Sequence, residues 1–209
     1  CRLVFDLLKT AGADRIMSVD LHAAQSQGFF DGPVDHLVAM PVLVDYIRDR
    51  FQGHLDNVAV VSPDAGRIRV AEQWAQRLGG GPLAFVHKTR DITRPNQAVA
   101  NRVVGDVAGK DCVLVDDLID TAGTIAGACH VLQDAGAKSV TVVATHGVLS
   151  GPAIDRINDS VITELALLDT IPAIDPKKSS KIKYLQVAPM FAEAIERIYQ
   201  EISISKLFR

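Results

Sequence analysis

The chain predicts an α/β fold, a mainly parallel sheet flanked by helices. Three features of the sequence carry that expectation. Short β-branched apolar runs recur along the chain. Amphipathic stretches of helical length lie between most of them, so successive strands are joined by right-handed crossovers rather than tight hairpins. Polar residues with useful chemistry follow the runs directly, at the strand ends where open α/β sheets gather their ligands.

The elements follow in chain order. Cys1 to Thr10 reads as the middle of a helix. The candidate strands are Arg15–Asp20, Val58–Ser62, Pro82–His87, Cys112–Asp116, Ser139–Thr145, Val161–Leu167 and Tyr184–Val187. The amphipathic stretches are Val42–Phe51, Ile68–Leu78, Thr124–Ala135, Gly151–Asn158 and Pro189–Glu201. Gly136 stands where a helix ending at Ala135 would need a left-handed residue. A domain seam is expected near Met40-Pro41, where a stretch rich in Gly, Pro and Asp gives way to a helix. Asp175 to Lys183 is polar and Lys-rich and reads as a solvated loop.

Bulk properties narrow the function. The 209 residues, 48% apolar and 22% charged, suffice for one large domain or one and a half smaller ones with a real core. A net charge of -3 gives no reason to expect nucleic acid or an acidic membrane as partner. Cys1, Cys112 and Cys129 lie far apart without CxxC spacing, which predicts a reducing, cytoplasmic setting. No apolar run approaches the roughly 20 residues of a membrane helix, and there is no signal-peptide pattern. The chain carries no initiating methionine and opens inside a helical pattern, so its natural start is expected upstream.

Four strand ends carry the chemistry. After the fourth run comes Val115-Asp116-Asp117-Leu118-Ile119-Asp120-Thr121-Ala122-Gly123-Thr124. Here a buried strand is expected to end in two carboxylates, turn through small residues and start a helix. Backbone N–H groups of Thr121 to Thr124 at a helix N-terminus suit a phosphate dianion, and Gly123 lets the backbone approach it. Asp116 and Asp117 can accept hydrogen bonds from vicinal sugar hydroxyls, or act through a bound Mg²⁺. The plain alternative is a capped helix with ordinary acidic solvation. There is no GxxxxGK[ST] and no GxGxxG.

Asp20 and His22 close the first run. Alternation along an extended segment would put both on one face, to share a metal or to form a structural hydrogen bond. Asp64, in Ser62-Pro63-Asp64-Ala65-Gly66, is a metal candidate or a plain turn and N-cap residue. Lys88 and Arg90 occupy one face of an extended strand end, followed by a polar, irregular run to about Asn101. They read either as a basic loop closing over phosphates or as a solvated turn.

Together these residues resemble the ribose-phosphate pyrophosphokinases, the synthetases of 5-phosphoribosyl 1-pyrophosphate (PRPP). The resemblance runs almost end to end. It passes through Ser18-Val19-Asp20-Leu21-His22, Gln27-Gly28-Phe29-Phe30-Asp31, Val61 to Gly66, His87-Lys88-Thr89-Arg90 and Leu114 to Thr124. It continues through Ala144-Thr145-His146, Leu149-Ser150-Gly151-Pro152-Ala153 and Ser203 to Phe208. The acidic loop alone would indicate only the wider phosphoribosyltransferase fold; the His22 and Lys88/Arg90 segments narrow it to the synthetase.

The resemblance implies a type I phosphoribosyltransferase-like domain over residues 41–193. It implies that residues 1–40 are the remnant of a second similar domain, and that residues 194–209 pack back against that remnant. The implied reaction is transfer of the β,γ-diphosphoryl group of ATP to the C1 hydroxyl of ribose 5-phosphate, giving PRPP and AMP for nucleotide biosynthesis. Carried over residue by residue, Lys88 and Arg90 are catalytic, and Arg90 also meets ribose 5-phosphate. Asp120, Thr121, Ala122, Gly123 and Thr124 hold the 5-phosphate, while Asp116 and Asp117 take the ribose hydroxyls. His22 and Asp64 are Mg²⁺ ligands, directly or through water, with Asp20 nearby. The family is a homo-oligomer, a hexamer built from dimers. Phosphate and ADP act as its effectors at a site matched here by Gln27, Asp35, Ser203, Ser205 and Phe208.

Departures from the family pattern are His36 where Asn is common, Ala24 where Ser is common, and Arg67 where a second Gly is common. The resemblance also implies a further upstream segment that supplies most nucleotide contacts. Two rival functions fit parts of this pattern. A nucleobase phosphoribosyltransferase shares the acidic loop but does not need the His22 and Lys88/Arg90 segments. A non-catalytic regulatory subunit would have degenerate catalytic positions, and those of this chain are of the required types.

Overall fold

The computed structural model describes the backbone of residues 1–90 and 98–208 and the side chains of residues 1–87 and 102–207. The chain divides into two compact units, one formed by Cys1–Val42 with Val187–Arg209 and the other by Leu43–Gln186.

The first unit opens with α1 (Arg2–Thr10), an amphipathic helix with no buried residue. β1 (Ile16–Val19) and β2 (Val34–Leu37) then pair in parallel, Ile16 opposite Val34 and Val19 opposite Leu37. A 3₁₀ segment at Ala24–Phe29 lies between them. α2 (Met40–Arg50) crosses the boundary between the units. α6 (Ala188–Tyr199) and a 3₁₀ turn at Ile204–Phe208 complete the first unit.

The second unit is a seven-stranded sheet. Its strands in chain order are β3 (Val58–Ser62), β4 (Leu83–Arg90), β5 (Ala98–Val104), β6 (Asp111–Ile119), β7 (Ser139–Gly147), β8 (Glu164–Leu168) and β9 (Ile182–Leu185). They lie side by side in the order β5-β4-β3-β6-β7-β8-β9. Every neighbouring pair is parallel except β4 and β5. The crossovers include α3 (Ile68–Arg77), α4 (Gly123–Asp134) and α5 (Ala153–Asp159). β3 and β8 are buried at every residue, so consecutive side chains on both faces are covered. That is why these strands read as continuous apolar runs rather than alternating ones. Ile125, Ala128, Cys129 and Leu132 of α4 and Ile157 of α5 share one core cluster with Cys112 and Leu114 of β6 and Val142 of β7.

Gly136 ends α4 as its spacing predicts. It has φ +86, its N–H donates to the Gln133 carbonyl at 2.9 Å, and that of Ala137 donates to Leu132 at 3.0 Å. This pair of bonds is a Schellman motif, satisfying carbonyls the helix end would leave open.

The structure corrects several expected boundaries. β6 runs to Ile119 and β7 to Gly147, paired as far as Ile119 opposite Gly147, so Asp116 and Asp117 lie inside the strand and not at its end. The run at Val161–Leu167 becomes a strand only from Glu164, and that at Tyr184–Val187 is shifted to Ile182–Leu185. Asp175 to Lys183 is not wholly loop. Asp175 accepts from the Lys177 N–H at 3.0 Å and caps a 3₁₀ turn, and β9 starts at Ile182. The run expected to be irregular to Asn101 includes β5 from Ala98, an antiparallel edge strand. β2 was not anticipated, because four residues flanked by Gly and Pro carry no readable period.

Candidate functional site

Within the second unit, the turn between β6 and α4 is held from two sides. Asp120, Thr121, Gly123 and Thr124 are exposed, while Ala122 is buried and left-handed at φ +58. An alanine rarely adopts this conformation, which costs roughly 1–2 kcal/mol. Ala122 occupies the N-cap position of α4 and offers no side-chain cap, so the first-turn N–H groups are not tied up by a capping oxygen. Such a turn presents donors and the positive end of a 12-residue helix dipole outward, an arrangement suited to a phosphate.

The loop after β7 supplies the first support. Val148 and Leu149 N–H groups donate to the Ile119 carbonyl at 2.9 and 3.1 Å, and the Ser150 N–H to the Asp120 carbonyl at 3.0 Å. Ser150 Oγ also donates to the Asp120 carboxylate. α5 supplies the second, since Arg156 Nη1 donates to the Thr121 carbonyl at 2.9 Å. A Cβ added at Gly123 would stand 3.2 Å from that same Nη1, so the glycine leaves room for the guanidinium.

Asp116 and Asp117 are mostly buried. Asp116 Oδ1 accepts from the Asp117 N–H at 2.9 Å. Arg67, which follows β3, reaches both carboxylates, with Nε 3.4 Å from Asp116 and Nη2 2.6 Å from Asp117. Burial pushes the Asp116 carboxyl up to about 7; the Asp117 N–H works against that rise, the Asp117 carboxyl adds to it, and Arg67 opposes it.

The other predicted residues are placed as follows. Asp64 accepts from the Gly66 N–H through Oδ1 at 2.8 Å, capping a 3₁₀ turn at Ala65–Arg67, and Ser62 Oγ donates to its carbonyl at 2.6 Å. The turn-and-cap alternative is therefore present, with Oδ2 outside that bond. β1 ends at Val19 and Asp20 is left-handed at φ +41. The alternation expected to put Asp20 and His22 on one face does not run through them. Asp20 Oδ2 accepts from the Ala39 N–H at 3.2 Å. The Leu21 N–H, next to His22, donates to His36 Nε2 at 2.9 Å.

Asp20 and His22 belong to the first unit and Asp64 to the second. Among the described residues, no three His, Cys, Asp or Glu side chains are grouped to hold a metal by themselves. Asp64 Oδ2, outside the cap bond, is a carboxylate oxygen of the kind Mg²⁺ takes, an ion that keeps waters and draws much of its shell from substrate phosphates. The backbone of Lys88 and Arg90 lies in β4, with Lys88 opposite Asn101 and a register irregularity between Thr89 and Arg90. Their side chains lie outside the described residues, as does that of Phe208.

In the first unit, Arg15 binds Asp35 through two contacts, Nε to Oδ2 at 2.5 Å and Nη2 to Oδ1 at 3.1 Å. The Gln27 amide nitrogen stands 3.2 Å from His36 Nδ1, and Ser203 and Ser205 hydroxyls are 3.1 Å apart. A cavity of about 380 Å³ is lined by Arg15, Ile198, Glu201, Ile202, Ser203 and Ile204. Sequence reasoning gave no role to Arg67, Ser150 or Arg156. Ser150 stood in a matched stretch, and Arg67 stood out as an unexplained departure.

The profile of the phosphoribosyl synthetase-associated domain matches residues 88–209, more than half of the chain. The chain belongs to the phosphoribosyl synthetase family. This synthetase-family chain is 81% identical over 208 residues to a ribose-phosphate pyrophosphokinase of Bifidobacterium longum, covering 100% of the chain and 61% of the relative. It is 57% identical over 207 residues to the Corynebacterium efficiens protein of the same name, covering 99% and 63%. Its fold resembles the crystal structure of phosphoribosylpyrophosphate synthetase from Mycobacterium smegmatis, with a TM-score of 0.86 and 52% identity over 96% of the chain and 63% of that protein. The family chain thus spans about three-fifths of the length of the curated relatives it matches.

Proposed function

We propose that the chain carries the ribose-phosphate side of an ATP-dependent diphosphotransferase making PRPP and AMP from ribose 5-phosphate and ATP. The observation that supports it most is the β6–α4 turn, an exposed N-terminal cradle placed directly after two carboxylates. A phosphate and vicinal hydroxyls at the two ends of one small ligand match that order of groups. In this reading Asp120, Thr121, Ala122, Gly123 and Thr124 hold the 5-phosphate, and Asp116 and Asp117 accept from the ribose hydroxyls. The C1 hydroxyl oxygen forms its new bond to the β-phosphorus of ATP. The bond from that phosphorus to the α,β-bridging oxygen breaks, AMP departs and the hydroxyl proton is released.

No protein nucleophile is required. Phosphoryl transfer is accelerated mainly by positioning and by stabilising charge on the transferred group. Lys88 and Arg90 are assigned that charge-stabilising role, with Arg90 also near the sugar phosphate. His22 and Asp64, with Asp20 nearby, are the residues that would hold Mg²⁺. Bound there, the ion would neutralise charge on the ATP phosphates.

Three further assignments belong to the same reading. Gln27, Asp35, Ser203, Ser205 and Phe208 line an effector site for phosphate or ADP. The native protein is a cytoplasmic homo-hexamer. Residues 1–40 are the remnant of an N-terminal phosphoribosyltransferase-like domain, residues 41–193 form the C-terminal one, and the tail of residues 194–209 packs back on the N-terminal domain. The adjacent hydroxyls of Ser203 and Ser205, 3.1 Å apart, support the effector assignment as donors to an anion, with Arg15 in the same unit and paired to Asp35.

The deciding experiment incubates the full-length protein with ATP, Mg²⁺ and ribose 5-phosphate. AMP formation that depends on the sugar is expected. Formation of ADP, or of no nucleotide product, would sink the proposal.

A further inference from the structure

Asp116 and Asp117 are neighbours in a strand, and consecutive strand residues normally point to opposite faces. Here one guanidinium reaches both, at 3.4 and 2.6 Å. The pairing explains how. β3 lies parallel beside β6, with Val61 opposite Leu114, so the turn that follows β3 emerges next to the far end of β6. Arg67 closes that turn and sits at the N-terminus of α3. Its fork spans the gap between the two strand ends and draws the carboxylates toward a common partner.

Two adjacent carboxylates in a mostly buried place either hold a proton between them or require positive charge. A divalent cation can supply it, as can an arginine, whose charge persists at any working pH. Among the described residues no third His, Cys, Asp or Glu stands with the pair, so a cation there would take the rest of its shell from water and ligand. We infer that Arg67 is the resident counter-ion of the Asp116–Asp117 pair, taking the place a divalent cation would otherwise fill, so that the ribose-hydroxyl site works without metal. The second half of this inference rests on the sugar-phosphate reading above; the first half does not.

The guanidinium fixes the carboxylates from the β3 side and leaves their remaining lone pairs to accept from hydroxyls. An ionised carboxylate has about four acceptor positions; Arg67 takes one on each, and the Asp117 N–H a further one on Asp116. Arg67 is thus a positioning residue that determines what kind of partner the pair accepts: neutral hydroxyls rather than a cation.

Two measurements test this on the same proteins. Bound Mn²⁺ is counted by electron paramagnetic resonance in the wild type, Arg67→Gly and Arg67→Gln, the last preserving bulk should the glycine variant fold poorly. Any Mn²⁺ held by other residues is common to all three. One additional Mn²⁺ is expected in the Arg67 variants, and it should vanish when Asp117→Asn is added. Ribose 5-phosphate is then titrated by calorimetry in chelator and in magnesium. The wild type should bind within about twofold in the two buffers. Arg67→Gln should lose about tenfold in chelator, the effect of removing a charge-assisted contact, and regain it in magnesium.

The inference is overturned if the Arg67 variants gain no Mn²⁺, or if the wild type needs magnesium to bind the sugar phosphate. A gain of the Mn²⁺ site in the Arg67 variants, with no ribose 5-phosphate binding by the wild type, would instead defeat the sugar-phosphate reading. The counter-ion assignment would then stand on the manganese result.

Discussion

Arg156 donates from Nη1 to the Thr121 carbonyl at 2.9 Å, so a cation from α5 holds the turn that opens α4. The contact joins residues 35 positions apart and lies beside Gly123, where it leaves no space for a larger residue without movement. It also steadies Ala122, whose left-handed backbone must be maintained by its surroundings. Arg156→Gln should weaken ribose 5-phosphate binding by about tenfold, the usual scale of one lost charge-assisted hydrogen bond. Calorimetry measures this, and circular dichroism should show an unchanged fold. Unchanged affinity would make Arg156 an ordinary surface residue.

Asp116 introduces a pH dependence whose sign can be worked out. Burial raises its carboxyl from an ordinary 3.8 to about 7, so the folded chain holds a proton that the unfolded chain releases between those values. Its contribution to stability is whole below the unfolded pKa and is lost as pH rises through about 7. Asp116→Asn stays neutral throughout. Its melting temperature relative to wild type should therefore be higher at about pH 8 than at about pH 5. A difference that does not change with pH would show that Asp116 titrates normally.

The thiols should divide sharply in reactivity. Cys112 and Cys129 are fully buried, and desolvation pushes both up to about 12, whereas Cys1 is exposed. Thiolate is the reactive form, so burial and the raised pKa act together. Under native conditions one thiol per chain should react with an aromatic disulfide reagent, and all three should react in denaturant. Rapid native labelling of Cys129 would contradict the packing of α4.

Lys88 is tested by kinetics. Lys88→Ala in the full-length protein should lower turnover by about 10²- to 10³-fold, the range for losing one donor that stabilises transition-state charge. Ribose 5-phosphate affinity should remain nearly unchanged. Near-normal turnover would remove Lys88 from the mechanism.

The sequence was most legible where burial imposes a period. β3, β6 and β7 announce themselves because both their faces are covered, and α3 because Ala71, Trp74 and Ala75 are buried on one side. β5 was obscured because an edge strand needs a single partner, and Asn101-Arg102 interrupts its apolar run. The end of β6 was misplaced because two aspartates look like a strand terminus, although pairing with β7 continues beyond them. The residue types of the candidate site could be read from the acidic loop. Its supports could not. Ser150, Arg156 and Arg67 meet the loop across 30 or more positions in the chain, and local spacing carries no record of such contacts. Arg67 attracted notice only as an unusual residue; its meaning required knowing that β3 and β6 are neighbours.

The division of the chain bears on the order in which it is made. The first unit is assembled from two segments, Cys1–Val42 and Val187–Arg209, with the whole second unit encoded between them. During synthesis the sheet unit has all its strands as soon as Gln186 has left the ribosome. Contacts between Cys1–Val42 and Val187–Arg209 must wait for the second segment, and they bear the entropy of closing a long loop unless the intervening sheet has already folded. A sheet unit already folded shortens, in effect, the distance over which Cys1–Val42 and Val187–Arg209 must find each other.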